Sequence, residues 1–368
     1  MTSRVLVIGG YGNFGGFISR TLADEPDMKV IVAGRSLERA QSFCATITDC
    51  ANPVESAVLD IARDFASALR DIAPDIVIHT SGPFQNQAYN VAGTCIAQGC
   101  HYIDLADGRE FVCNIGQLNS HAARQGVTVI GGASSVPCLT AALVDRYGPE
   151  FAALDSLDYG IATAQQTNRG LATTAAILTY VGKPFETRIN GETRRIYGWQ
   201  GLTRHRYRRL NDRLLGNCDI PDLTLFPARY PGLESIRFRA GLEIPLMHLG
   251  LWGLSWLVRG GLVRRPERLA PLLLKVARMF DRFGGADSAF HMDMSGRDGD
   301  GNRKAIHFEL TARSGDGPYI PCMPAILLAK KLARAEITAR GAFPCVGFIT
   351  LDEYLAGLAS MDITWESW

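Results

Sequence analysis

The chain has 368 residues, 47% of them hydrophobic and 20% charged, with a formal net charge of +1. That length provides for about two domains with sizeable cores, and the charge balance excludes both a disordered chain and a general grip on nucleic acid. Nine cysteines without a C-x-x-C pair form no zinc-like cluster and, being odd in number, cannot all pair, which predicts a reducing, cytoplasmic setting.

Short β-branched runs at Val5–Ile8, Lys29–Ala33, Val54–Leu59, Ile76–His79, Tyr102–Leu105 and Val127–Ile130 predict six strands. The segments between them have helical spacing, as in Phe14, Phe17, Ile18 and Leu22. Strands alternating with helices over short links imply a parallel sheet covered on both faces, a Rossmann-type α/β fold of predicted order 3-2-1-4-5-6.

Between the first strand and its helix, Gly10, Tyr11, Gly12, Asn13, Phe14 and Gly15 spell G-x-G-x-x-G. In that context the glycines permit a tight turn and close pyrophosphate approach, and the helix N-terminus offers N–H groups to phosphate. The second strand ends in Gly34-Arg35-Ser36, with no carboxylate to grip ribose hydroxyls. Arg35 and Ser36 can instead meet a 2′-phosphate, which favours NADP(H) over NAD(H); the alternative is a solvated Arg35 and a Ser36 that only caps the next helix. Asp60 is placed to approach adenine or to cap a helix at Ile61–Leu69. The fourth strand runs into Thr80, Ser81, Gly82 and Pro83, expected to seat the nicotinamide side, and the fifth ends at Asp104.

The string Gly82-Pro83-Phe84-Gln85, then Val91-Ala92, Cys95, Gly99 and His101-Tyr102-Ile103-Asp104, with the glycine motif and Ala33-Gly34-Arg35, resembles the saccharopine dehydrogenase-like oxidoreductase family over about the first 140 residues. The resemblance implies an NADP-binding Rossmann domain at 1–137 and an α+β domain at 138–322 that builds the substrate cleft. It also implies a helical C-terminal segment at 323–368 that returns to the first domain. Residues 315–324 are similar to uncharacterised bacterial members rather than to the lysine-pathway enzymes, so no substrate carries over.

Beyond residue 140 the pattern changes. Asn190-Gly191 signals a hairpin. Arg194, Arg195, Arg204, Arg206, Arg208, Arg209 and Arg213 crowd one stretch, readable as a receptor for a substrate carboxylate or phosphate or as a basic face paired with acids. From Ala289 to Ala312 two alternating runs predict a hairpin, and one acceptable register sets His291 opposite Glu309 and Asp293 opposite His307. Such pairs suit acid–base work on a face that lines a cleft and otherwise form a solvated polar face. The Asp298–Asn302 turn only partly mimics a calcium loop, since Arg303 stands where that loop needs Gly, and no metal is expected. Tyr319, in the stiff loop Gly317–Pro321, is a candidate substrate-contacting hydroxyl. Ile244–Val258 is too short to span a membrane and is expected to pack against the protein or a second subunit, with peripheral membrane contact less favoured.

These readings converge on a cytoplasmic, homo-oligomeric NADP(H)-dependent oxidoreductase acting on a small molecule, with Asp104, Tyr319 or His291 positioning or exchanging the proton. If the family's best-known chemistry applies, the substrate is an imine or secondary amine derived from an amino acid. A lipid-linked enoyl or keto substrate is the alternative, as is a dinucleotide-binding regulator without turnover.

Overall fold

The computed structural model describes residues 2–85, 87–167 and 170–368. The chain divides into two compact units, Met1–Ala142 with Tyr319–Gly357, and Leu143–Pro318 with Leu358–Trp368.

In the first unit, β1 (Ser3–Ile8), β2 (Met28–Gly34), β3 (Glu55–Val58), β4 (Ile76–His79), β5 (His101–Asp104) and β6 (Thr128–Gly131) form a parallel sheet in the expected order 3-2-1-4-5-6. β1 lies at its centre, with Val5 beside Val30 on one flank and Ile76 on the other. Leu6, Ile8, Ile31, Val77, Tyr102 and Val129 turn to one side and meet Val91, Cys95 and Ile96 of the helix Asn90–Ala97. Burial on both faces explains why these strands read as continuous apolar runs rather than alternating ones. The helix expected at Ile61–Leu69 begins later, at Phe65–Ile72, because residues 60–63 are taken by a turn in which Asp60 Oδ1 accepts the Ala62 N–H at 3.0 Å.

The second unit contains β7 (Ala153–Thr163), the hairpin β8 (Pro184–Ile189) and β9 (Glu192–Tyr197), β10 (Thr203–His205), β11 (Arg213–Asn217), β12 (Ser235–Leu242), β13 (Ser288–Arg297) and β14 (Arg303–Ala312). Asn190 and Gly191 take φ of 52° and 77° at the tip of the first hairpin, the left-handed pair that a two-residue turn requires. The main sheet runs β10-β11-β12-β7-β13-β14, with β7 and β12 parallel and the other pairs antiparallel.

Two later strands divide between the units: β15 (Gly341–Pro344) pairs parallel with β6, and β16 (Ile363–Ser367) pairs antiparallel with β14. The segment expected to return whole to the first domain is therefore split. β14 is otherwise an open edge, and β16 satisfies its backbone donors and acceptors.

Ile244–Val258 meets its expectation of packing against the protein on one side only. It forms the helix Pro245–Arg259, whose His248 and Ser255 are fully buried, yet Leu246, Leu249, Trp256 and Leu257 remain exposed. Burial within the chain covers one side of this helix only. Among the described residues no helix is long and apolar enough to cross a membrane.

Candidate functional site

The turn after β1 is shaped by the crossing of two backbones. A Cβ at Gly15 would collide with the Gly9 carbonyl, so the helix Asn13–Ala23 can start directly beneath the strand only with glycine there. A Cβ at Gly12 would meet only the Gly9 oxygen, at 3.1 Å, and otherwise open space. Gly12 is also the helix N-cap, so the dipole end is presented without a covering side chain. The residues fit a pyrophosphate: Gly10, Gly12, Asn13, Phe14 and Gly15 supply close backbone at a helix N-terminus.

At the end of β2 the Tyr11 ring lies over Gly34, its hydroxyl accepts the Ser36 N–H at 3.2 Å, and the Arg39 guanidinium sits 5.0 Å above its centroid. Arg35 is exposed. The Ser36 hydroxyl accepts the Arg39 N–H at 3.3 Å and so caps the helix Leu37–Cys44. Arg39, four residues after Arg35, is a second cation here that the sequence reading passed over.

β4 delivers Thr80, whose hydroxyl donates to the Ile8 carbonyl at 2.8 Å and ties the strand end to the glycine turn. Ser81 and Gly82 follow, half-buried, and Pro83 is exposed. Asp104, at the end of β5, is fully buried. Its Oδ1 accepts the N–H groups of Ala106 and Gly132, both at 2.9 Å, joining the loops after β5 and β6. Burial outweighs these bonds and lifts the carboxyl to about 6. The Tyr102 hydroxyl acts on this carboxyl and lies 3.0 Å from Nδ1 of His79, whose own burial pushes the imidazole down to about 4. Tyr319 is half-buried and stacks on Phe17, with centroids 4.2 Å apart and planes 15° apart.

The second unit gathers a different set. β13 and β14 pair in one of the registers the sequence allowed, His291 opposite Glu309 and Asp293 opposite His307. Only the second pair bonds directly, His307 Nδ1 to Asp293 Oδ1 at 2.8 Å. Between the first two the segment after β10 intervenes: the Tyr207 hydroxyl bonds His291 Nδ1 at 3.0 Å, and Glu309 accepts the Arg208 N–H at 3.0 Å. His205 stacks on His291, with centroids 3.6 Å apart. His291 is 2% exposed, and desolvation, helped by His205 and Arg239, holds it well below the ordinary imidazole range. Burial raises the Tyr207 phenol, which keeps its proton.

Most of the arginine crowd is paired with acids: Arg204 and Arg206 with Asp212, Arg208 and Arg209 with Glu366, and Arg194 with Glu192. Arg213 meets Glu243 at 3.4 Å, and Arg239 pairs with Asp158. The Nε–H groups of Arg213 and Arg239 are nevertheless buried without an acceptor among the described residues. His205 and Arg239 were missed in the sequence, for nothing local marks a residue that a distant strand will cover. His205, His291 and Asp293 bring ligand atoms within 4.8 Å of one another, but Tyr207 engages His291 and His307 engages Asp293.

Residues 5–130 match the saccharopine dehydrogenase NADP binding domain. No functionally curated protein matches the chain. Among solved structures, the apo saccharopine dehydrogenase (L-Glu forming) from Saccharomyces cerevisiae is 13% identical with a TM-score of 0.69, covering 100% of both chains. Amine dehydrogenase from Mycobacterium smegmatis is 11% identical over 96% of each chain, with a TM-score of 0.49. GenD2 from gentamicin A biosynthesis, in complex with NAD, is 12% identical over 98% of this chain and 92% of its own, with a TM-score of 0.44. Residues 5–130, which hold the glycine turn, match an NADP binding domain, so the cofactor of the first unit is a nicotinamide dinucleotide. Residues 5–130 thus belong to the saccharopine dehydrogenase NADP binding domain family, and the chain as a whole shares the fold of the yeast enzyme.

Proposed function

We propose that the protein is an NADP(H)-dependent oxidoreductase that interconverts an imine and a secondary amine bearing a carboxylate. The observation that carries the substrate class is the pair of buried, unaccepted Nε–H donors of Arg213 and Arg239 beside His291 and Tyr207. Buried donors without acceptors cost free energy, and an anionic ligand group offsets that cost. When bound, the dinucleotide supplies or accepts hydride. Arg35 and Arg39 hold its 2′-phosphate, the Gly10–Gly15 turn its pyrophosphate, and Thr80, Ser81, Gly82 and Pro83 its nicotinamide side.

In the reductive direction the substrate carbon gains a hydride and its nitrogen one proton. His205, the more open of the two stacked imidazoles, gives that proton, and Glu309 lies 3.9 Å from its ring. His291 stays neutral and with Tyr207 positions the His205 ring. Asp104 is a positioning residue that fixes the loops after β5 and β6, and Tyr319 packs over the helix that follows the glycine turn.

Substrate-dependent NADPH oxidation across a panel of 2-keto acids with amino acids is the test. Turnover with imine-forming pairs, lost on Arg239→Ala, supports the reading. Turnover only with enoyl or keto thioesters supports the second one, a lipid-linked substrate, which the exposed apolar side of the helix Pro245–Arg259 favours.

A further inference from the structure

Nine of the fifteen exposed large hydrophobic side chains among the described residues fall between positions 246 and 283. On the helix Pro245–Arg259 the outward positions 246, 249, 250, 253, 256 and 257 follow helical spacing and hold only Leu, Gly and Trp, so one whole stripe is apolar. The helix Ala270–Met279 and the turn after it add Leu272, Val276, Met279 and Phe283, exposed by 39% to 68%. The inner sides of both helices, through Leu251, Leu254, Ala270 and Leu273, join one small core with Leu178, Val181 and Trp199. Both helices therefore turn an apolar stripe away from the same core.

Charge identifies what covers these stripes. Residues 245–283 hold seven Lys and Arg against two Asp and Glu, a net +5 in a chain whose remainder carries −4. Arg264, Arg265, Arg268, Lys275, Arg278 and Arg282 are exposed, and none makes an ion pair among the described residues. A second copy of this surface would bring +5 against +5, which opposes association. An anionic bilayer supplies both complements, acyl chains for the stripes and headgroups for the cations.

We propose that residues 245–283 dock the protein in the plane of an anionic membrane surface, with the two helices lying at the headgroup boundary and none crossing it. The proposal is independent of the substrate reading above, since it requires no turnover.

Flotation of the full chain with vesicles of phosphatidylglycerol and phosphatidylcholine, against phosphatidylcholine alone, tests it. Binding to the anionic vesicles is expected, weakened at least about tenfold by Arg264→Glu, Arg265→Glu and Arg268→Glu together. It is also expected to be lost in the double variant Trp256→Ser, Leu257→Ser. The substituted side chains are exposed, and retained NADPH binding reports that each variant is folded. Hydrogen exchange on the unmodified protein should show vesicles protecting 245–283, a readout that needs no variant. Failure to float with anionic vesicles, flotation unchanged in both variants, or a dimer that these variants dissociate while vesicles capture nothing would each overturn the proposal.

Discussion

His205 lies flat on His291, ring centroids 3.6 Å and planes 16° apart, so that protonating one imidazole disfavours protonating the other. Removing the partner admits water and one fewer potential charge. His205→Ala should therefore raise the apparent pKa of His291 towards that of a free imidazole, measured by NMR titration, and should lower turnover by roughly two to four orders of magnitude. An unmoved His291 titration would show that the sheet alone holds it down.

Arg35 directly follows β2 and Arg39 lies in the first turn of the helix Leu37–Cys44, its guanidinium over the Tyr11 ring. Replacing either by Ala should reduce the preference for NADPH over NADH about tenfold by calorimetry, with the larger loss in the double variant. Equal affinities in the unmodified protein would remove the basis for the NADP assignment.

Gly12→Val places its extra atoms in open space above the turn, apart from the 3.1 Å approach to the Gly9 oxygen. The variant should fold, with a melting temperature within a few degrees of the parent, yet lose dinucleotide binding. Undiminished binding by the folded variant would move the cofactor elsewhere.

Asp104 separates structure from chemistry. Asp104→Ala leaves the Ala106 and Gly132 N–H groups buried without their acceptor and should cost about 2–4 kcal/mol. Asp104→Asn keeps one acceptor and removes a buried charge, so its denaturant midpoint at neutral pH should match or exceed the parent's. A large loss of stability in Asn would show that the negative charge itself holds the loops.

The buried imidazoles set the acid side of the stability curve. His79 and His248 are each held down to about 4, and His291 also lies below the ordinary value, all chiefly by burial. The unfolded chain then binds more protons than the folded one below about 6.5, so stability falls with acidification, on the order of 3 kcal/mol for each fully shifted imidazole. Asp104 acts in the opposite sense, gaining stability as pH falls from about 6 towards 4. The imidazoles outnumber it, and the melting temperature should drop between pH 6.5 and pH 4. A flat profile across that interval would mean that the imidazoles are hydrated.

The order of the first sheet and the glycine turn were legible in the sequence, and the β13–β14 register was one of those that its alternation allows, because each follows from a local pattern. Strand–helix alternation dictates a parallel sheet, a close backbone crossing demands Gly15, and only one face of His291–Glu309 and its neighbours can be apolar. Tertiary structure decided the rest. His291 and Glu309 face each other across two strands, yet each is bonded by the segment after β10, whose path depends on packing far from either. The final residues complete the edge of the second sheet as β16, a choice set by unpaired backbone that no local pattern announces. Hydrophobic spacing in Pro245–Arg259 showed that the segment is a helix with apolar sides. Which side the protein itself covers depended on where Leu178, Val181 and Trp199 come to lie.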